Sequence, residues 1–150
     1  MAVKTADRTR RIVEDYVLEN QIGYLMRRAS QRHAAIFFEG LKGHKLTPTQ
    51  FAALVKIKDE GEVSQNRLGR LTAMDPATIL GVVKRLRERR LIDAKADPTD
   101  RRRSLWHLSD AGRQLLLQTI PYAADITRDT LAPLKPEEQT AFLTLLHKLA

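Results

Sequence analysis

Apolar positions along this chain fall into short periodic runs, most of them with a helical step. From Ile22 to Leu41 they recur at Ile22, Leu25, Met26, Ala29, Ile36, Phe37 and Leu41, which predicts one long amphipathic helix. A shorter helix is expected before it, around Asp7 to Leu18. The next run, LTPTQFAALVKIKDEG, carries Thr47 with Gln50 three residues later and Pro48 between them. That is a capping box with proline in the first helical turn. Phe51, Leu54 and Val55 supply this helix's buried face and Gly61 ends it.

The segment SQNRLGRLTAMDPATILGVVKRLRERRLI predicts two helices in close succession. Ser64 caps the first, which turns Leu68 and Leu71 inward; Asp75 caps the second, with Pro76 in its first turn and Ile79, Val82, Val83 and Leu86 as its buried stripe. Two short helices joined by a tight turn make a helix-turn-helix. The period then drops to two. Leu91 to Ala96 reads as a strand, Asp97 to Arg103 as a loop and Ser104 to Leu108 as the returning strand. Ser109 or Asp110 caps a further helix partly buried through Leu115 and Leu116, which Pro121 is expected to kink or interrupt. The last helix starts at Pro136 and buries Phe142, Leu145, Leu146 and Leu149. The predicted fold class is therefore mainly α with a small β-hairpin, a winged helix-turn-helix. It forms a single domain over residues 1–150, with the winged-helix lobe at about 47–112 between helical segments at about 7–45 and 113–150.

Charge sharpens this picture. The 150 residues hold 26 Lys+Arg against 18 Asp+Glu, a formal +8. Between Ser64 and Arg113 there are twelve basic against six acidic residues, so most of the excess lies in one third of the chain. Such a balance favours a polyanionic partner, nucleic acid before anionic membrane. The chain contains no cysteine, which excludes disulfides and thiolate sites. MAVKTADRTRRIVEDYV lacks the apolar run of a signal peptide and no later stretch approaches a membrane span, so the expected location is the cytoplasm.

A helix-turn-helix with a hairpin suits duplex DNA, because the major groove admits one helix and displays the full donor and acceptor code. The outward face of the Asp75 helix presents Ala77, Thr78, Gly81, Lys84 and Arg85 as candidate contacts, with Ser64 and Asn66 on the preceding helix in the same set. Thr78 can donate, accept or touch a thymine methyl, and Lys84 and Arg85 reach phosphate or guanine. Gly81 is costly in a helix interior; close approach to DNA and helix–helix packing both account for it. In the loop ADPTDRRRS, Arg101, Arg102 and Arg103 sit at the hairpin tip. Either the tip is simply solvated, or one of Arg101 and Arg102 enters a narrow minor groove while Arg103 meets phosphate. Asp97 and Asp100 brace the loop through arginine or turn amides.

Together these segments resemble the MarR family of bacterial regulators, over about Gln21 to Leu149 and most densely from Leu46 to Gly112. Asp97, Asp100 and Arg102 match the family's wing pattern Asp-X-Arg-Asp-X-Arg, and Leu108-Ser109 with Gly112 fits its Leu-Thr-x-x-Gly. Thr99 departs from the pattern, standing where arginine is usual, which moves weight onto Arg101 and Arg102. RLTAMDPATILGVVKRLRERRLI is similar to the family's recognition helix and turn. LTPTQFAALVKI and QRHAAIFFEG resemble the branch controlling aromatic degradation. The resemblance implies a homodimer whose terminal helices interlace as a dimerisation platform. It implies repression at a double-stranded, pseudo-palindromic operator, and release by a small aromatic carboxylate or an acyl-CoA. The candidate ligand set is Arg28, Arg32, His33, Phe37, Phe51 and Trp106. For His33 a satisfied helix histidine is the other reading, for Arg28 and Arg32 solvated cations, and for Trp106 plain packing.

No cofactor or metal is expected: His44, His107 and His147 are scattered, and there is no metal spacing, Gly-rich phosphate loop or nucleophile elbow. Two alternatives remain, a sequence-indifferent architectural nucleic-acid-binding protein and a small enzyme.

Overall fold

The computed structural model describes residues 12–100 and 103–150. Its elements run α1 (Ile22–Gly40), α2 (Pro48–Glu60), β1 (Val63–Ser64), α3 (Gln65–Leu71), α4 (Pro76–Glu88), β2 (Ile92–Ala96), β3 (Ser104–Leu108), α5 (Asp110–Leu131) and α6 (Pro136–Leu149). Arg101 and Arg102 lie outside the described residues, as does the start of the helix expected at Asp7 to Leu18. Of that helix, residues 12–14 are helical, and Leu18–Asn20 form a 3-10 turn. The chain divides into two compact units at His33–Ala34, within α1. In the first, Ile22, Leu25 and Met26 are all exposed.

In the second unit the capping box on α2 forms as expected. The Gln50 amide donates to Thr47 Oγ1 at 3.2 Å and the Thr47 amide to Gln50 Oε1 at 3.3 Å. The buried face of α2 is Gln50, Ala53, Leu54 and Ile57, while Phe51 and Val55 are only half-buried. Phe51 fills a different role, meeting Phe37 edge-on at 5.9 Å. Phe37 and Leu41 form a small cluster with Ile126 of α5. The main core gathers α2, the α4 stripe (Ile79, Val82, Val83, Leu86) and the inward side of the sheet. Burial of this kind contributes about 1.5–3 kcal/mol per large aliphatic side chain.

Four expectations change. The hairpin is part of a three-stranded antiparallel sheet in the order β1-β3-β2, Val63 and Ser64 pairing with Trp106 and Leu105; two residues are too short to display alternation. Leu71 is not turned inward but 37% exposed, because α3 ends on it and only Leu68 points at the core. Pro121 does not interrupt α5, which runs unbroken through it. Pro121 has no amide proton for the Leu117 carbonyl, and Leu117 is itself exposed. Finally, among the described residues α6 has no buried side chain: Phe142, Leu145, Leu146 and Leu149 are all exposed, Leu149 at 72%. Periodicity reports an apolar face but not which body covers it.

The end of α4 and the start of α5 are locked together. Arg90 adopts a left-handed φ of 55°; its amide donates to the Arg87 carbonyl at 2.8 Å, and the Leu91 amide to Leu86 at 3.0 Å. This is a Schellman motif with arginine at the position glycine usually takes. Ser109, the cap of α5, accepts from the Gly112 amide at 3.0 Å and donates to the Arg90 carbonyl at 2.7 Å. A Cβ on Gly112 would lie 2.1 Å from the Leu91 carbonyl oxygen. Gly112→Ala should therefore destabilise the fold by about 1–3 kcal/mol through overpacking against backbone. Urea unfolding measures this, and an unchanged midpoint would refute the close approach.

Candidate nucleic-acid interface

The second helix of the pair, α4, begins on Asp75, whose carboxylate accepts from the Ala77 and Thr78 amides at 3.0 and 2.9 Å. The Thr78 hydroxyl donates to the same carboxylate. Those bonds, the hydroxyl first and the Thr78 amide next, hold Asp75 below the usual carboxylate pKa. The negative charge of Asp75 is thus spent on the helix start. Thr78, with its proton committed, offers outward only lone pairs and a methyl.

With Ile79, Val82, Val83 and Leu86 buried, α4 turns Ala77, Thr78, Lys84 and Arg85 to solvent. Lys84 lies 4.0 Å from Glu88, an exposed pair that leaves the ammonium accessible. Gly81 is half-buried, and a Cβ there would meet nothing within 4 Å. Helix–helix packing therefore does not explain this glycine. On α3, the capping hydroxyl of Ser64 accepts from the Arg67 amide at 3.4 Å, and Asn66 is exposed.

At the wing, Asp97 accepts from the Thr99 amide at 2.8 Å and the Thr99 hydroxyl at 2.7 Å. These bonds, the hydroxyl first, hold its carboxyl below the usual value. Thr99 therefore takes over the bracing at the position where arginine was looked for. Asp100 pairs with Arg103 at 3.3 Å, and the Asp97 amide donates to the Arg103 carbonyl at 3.0 Å, closing the base of the tip. Lys95 reaches Glu62 at 2.8 Å.

The ligand candidates are only partly brought together. Phe37 and Phe51 touch. Trp106 is packed into the lobe core at 8% exposure, between Val63 and Ala94 on the neighbouring strands, while Ser104 at the strand's end stays exposed. Arg28, Arg32 and His33 belong to the part of α1 in the first unit, the arginines exposed and the histidine half-buried. A separate groove of about 330 Å³ is lined by Phe38, Leu41, Lys42, Lys45, Leu46 and Thr47. None of these was expected to line a groove: Lys42 and Lys45 lie in a connecting loop with no period to read, and Leu41 and Thr47 were read only as a helix stripe and a cap.

The MarR family profile matches residues 44–103, spanning α2, both helices of the pair, β2 and the loop that follows it. The transcriptional repressor NicR of Pseudomonas putida is 40% identical over 134 residues, 89% of this chain and 85% of its own. The chain belongs to the MarR family. A probable transcriptional regulator from Pseudomonas aeruginosa is 51% identical, with a TM-score of 0.86 over 89% of this chain and 100% of its own. BpsR of Bordetella bronchiseptica, whose DNA binding is regulated by 6-hydroxynicotinic acid, is 41% identical, with a TM-score of 0.85 over 89% of this chain and 96% of its own. Such MarR-family relatives are regulators of transcription and not enzymes, so the enzyme alternative is set aside. Among the described residues no helix is long and apolar enough to cross a membrane.

Two stability measurements check the interface of this MarR-family chain. Gly81→Ala should raise stability, by up to about 1 kcal/mol, since alanine is the better helix former and the space is open. Asp75→Ala should lower the melting temperature at neutral pH. A depressed carboxyl pKa contributes stability above its unfolded value, near 3.9, and loses it as the pH falls through the folded value. The gap between parent and Asp75→Ala should accordingly close on acidification below about pH 4; a constant gap would count against the cap.

Proposed function

We propose that this chain is a homodimeric, ligand-responsive repressor that binds a pseudo-palindromic operator and is released by a small aromatic carboxylate or its CoA thioester. The observation that carries the reading is the polar face of α4. Asp75, at its start, and Asp97, on the wing loop, are consumed by hydroxyls and amides, while Lys84, 4.0 Å from the exposed Glu88, and Arg85 stay exposed. The similarity to NicR and BpsR supports repression and responsiveness to an aromatic acid.

In this reading α4 enters the major groove. Thr78 meets a base amino group as acceptor or a thymine methyl, Arg85 reads guanine and Lys84 meets phosphate. Gly81 leaves room for the duplex, and Ala77 lies beside it on the same face. Ser64 and Asn66 approach the backbone from α3. Arg101 or Arg102 enters the adjoining minor groove, with Asp100 holding Arg103 toward phosphate. The second copy covers the apolar side chains that this chain leaves exposed at its ends, among them Ile22, Leu25, Leu117, Leu145 and Leu149. The effector's ring would rest near Phe37, Phe51 or Trp106, with Arg28, Arg32 or His33 at its anionic end.

Binding to the duplex upstream of the protein's own gene, against a random duplex at matched salt, tests this and separates it from an architectural protein. Lys84→Ala should weaken both duplexes and make the salt slope shallower by about 1. Thr78→Val should instead cost about 1–3 kcal/mol on the operator alone. Arg102→Ala should weaken binding most at A·T-rich flanks. Equal affinity of the parent for both duplexes would sink the repressor reading.

For the effector, calorimetry with 6-hydroxynicotinate, benzoates, hydroxycinnamates and their CoA esters should find a binder whose affinity operator DNA lowers. The factor must equal that by which the compound weakens operator binding, because the coupling, about 1–3 kcal/mol, is reciprocal. A binder that leaves operator affinity unchanged would refute the effector assignment and leave DNA binding intact.

A further inference from the structure

We propose that Arg89 is the positioning residue of the recognition helix, latching the C-terminal end of α4 to the loop between α1 and α2. The inference rests on the DNA-binding reading of α4. Arg89 is the C-cap of α4, its amide bonded to the Arg85 and Arg87 carbonyls. The Schellman turn at Arg90 and Leu91 follows immediately, so its side chain leaves a fixed stretch of backbone.

The guanidinium then spans more than forty residues of sequence. Nη1 donates to the Lys45 carbonyl at 2.8 Å and Nη2 to the His44 carbonyl at 3.1 Å. Those carbonyls close the 3-10 turn Lys42–His44, after which Lys45 turns left-handed at φ 52°. Carbonyls at the end of such a turn have no onward helical donor. The planar fork of arginine satisfies two of them at once in a fixed geometry, which the compact, freely rotating ammonium of lysine does not match. Leu41 and Leu46, on either side of the turn, are both buried. The latch therefore joins two anchored ends and constrains the angle at which α4 leaves the lobe.

A cation at the end of a DNA-facing helix has an obvious competing role as a phosphate contact, and Arg89→Lys separates the two. A phosphate contact keeps its charge in that variant, whereas a latch loses its fork. The full-length chain carrying Arg89→Lys or Arg89→Ala would be titrated with operator and random duplexes across a salt series. Thermal melts and amide hydrogen exchange over residues 42–47 would accompany the titrations. Both variants should lose about tenfold in operator affinity, the scale of a hydrogen bond to a charged group. For Arg89→Lys, random-duplex affinity and salt slope should match the parent, while exchange rises at the turn and not in the α4 stripe.

Parental operator binding by Arg89→Lys would overturn the proposal. If Arg89→Ala then also weakens both duplexes equally with a slope shallower by about 1, Arg89 is a phosphate contact. Should Arg89→Ala fail to fold, the lysine variant decides alone. A parent that does not distinguish operator from random DNA overturns the repressor reading and the latch with it.

Discussion

The winged-helix lobe depends on one backbone approach, that of the Gly112 Cα to the Leu91 carbonyl oxygen. No side chain fits between them, since a Cβ would sit 2.1 Å from that oxygen. Leu91 ends the turn out of α4 and Ile92 begins β2; Leu108 ends β3 and Ser109 begins α5. The contact therefore closes the hairpin at its base while joining the helices on either side. Ser109 completes it by accepting from its own helix and donating to the end of the other. The angle between the wing and α4 follows from this junction.

A second constraint is electrostatic. The exposed face of α4 and the wing loop are rich in arginine and lysine, yet they carry the carboxylates Asp75 and Asp97. Asp75 accepts three amide or hydroxyl bonds and Asp97 two, from residues two or three positions on, and both carboxyls are held below their usual pKa by them. Their charge is offset locally by donors that a helix start and a turn would otherwise leave unsatisfied. The field of the face is then set by the arginines and lysines around them.

Many elements were legible because their signals are local. Thr47 and Gln50, Ser64, Asp75 and Ser109 announce helix starts through hydrogen bonds that span only two or three residues. The alternation from Ser104 to Leu108 marked β3 to the residue. Other features depended on distant partners. Val63 and Ser64 become a strand only because β3 lies beside them. Leu71 looked like core by spacing, but α3 ends on it and only Leu68 carries a side chain into the core. The burial of Trp106 became visible only once its neighbours on both adjacent strands were known. The groove by Lys42 and Lys45 lies in a loop with no period at all.

By itself, then, the sequence determined the order of helices, the hairpin, the charged face and the amphipathic ends, because caps, turns and periodicity act over a few residues. Tertiary structure alone decided what each face meets. Among the described residues it left the stripe of α6 exposed. It opened the space beside Gly81 and closed the space beside Gly112. It also set Arg89 against carbonyls from an earlier loop. The physical reason is that a pattern specifies the direction in which a side chain points along its own element. The group that answers it is brought there by chain closure over tens of residues, which no local spacing encodes.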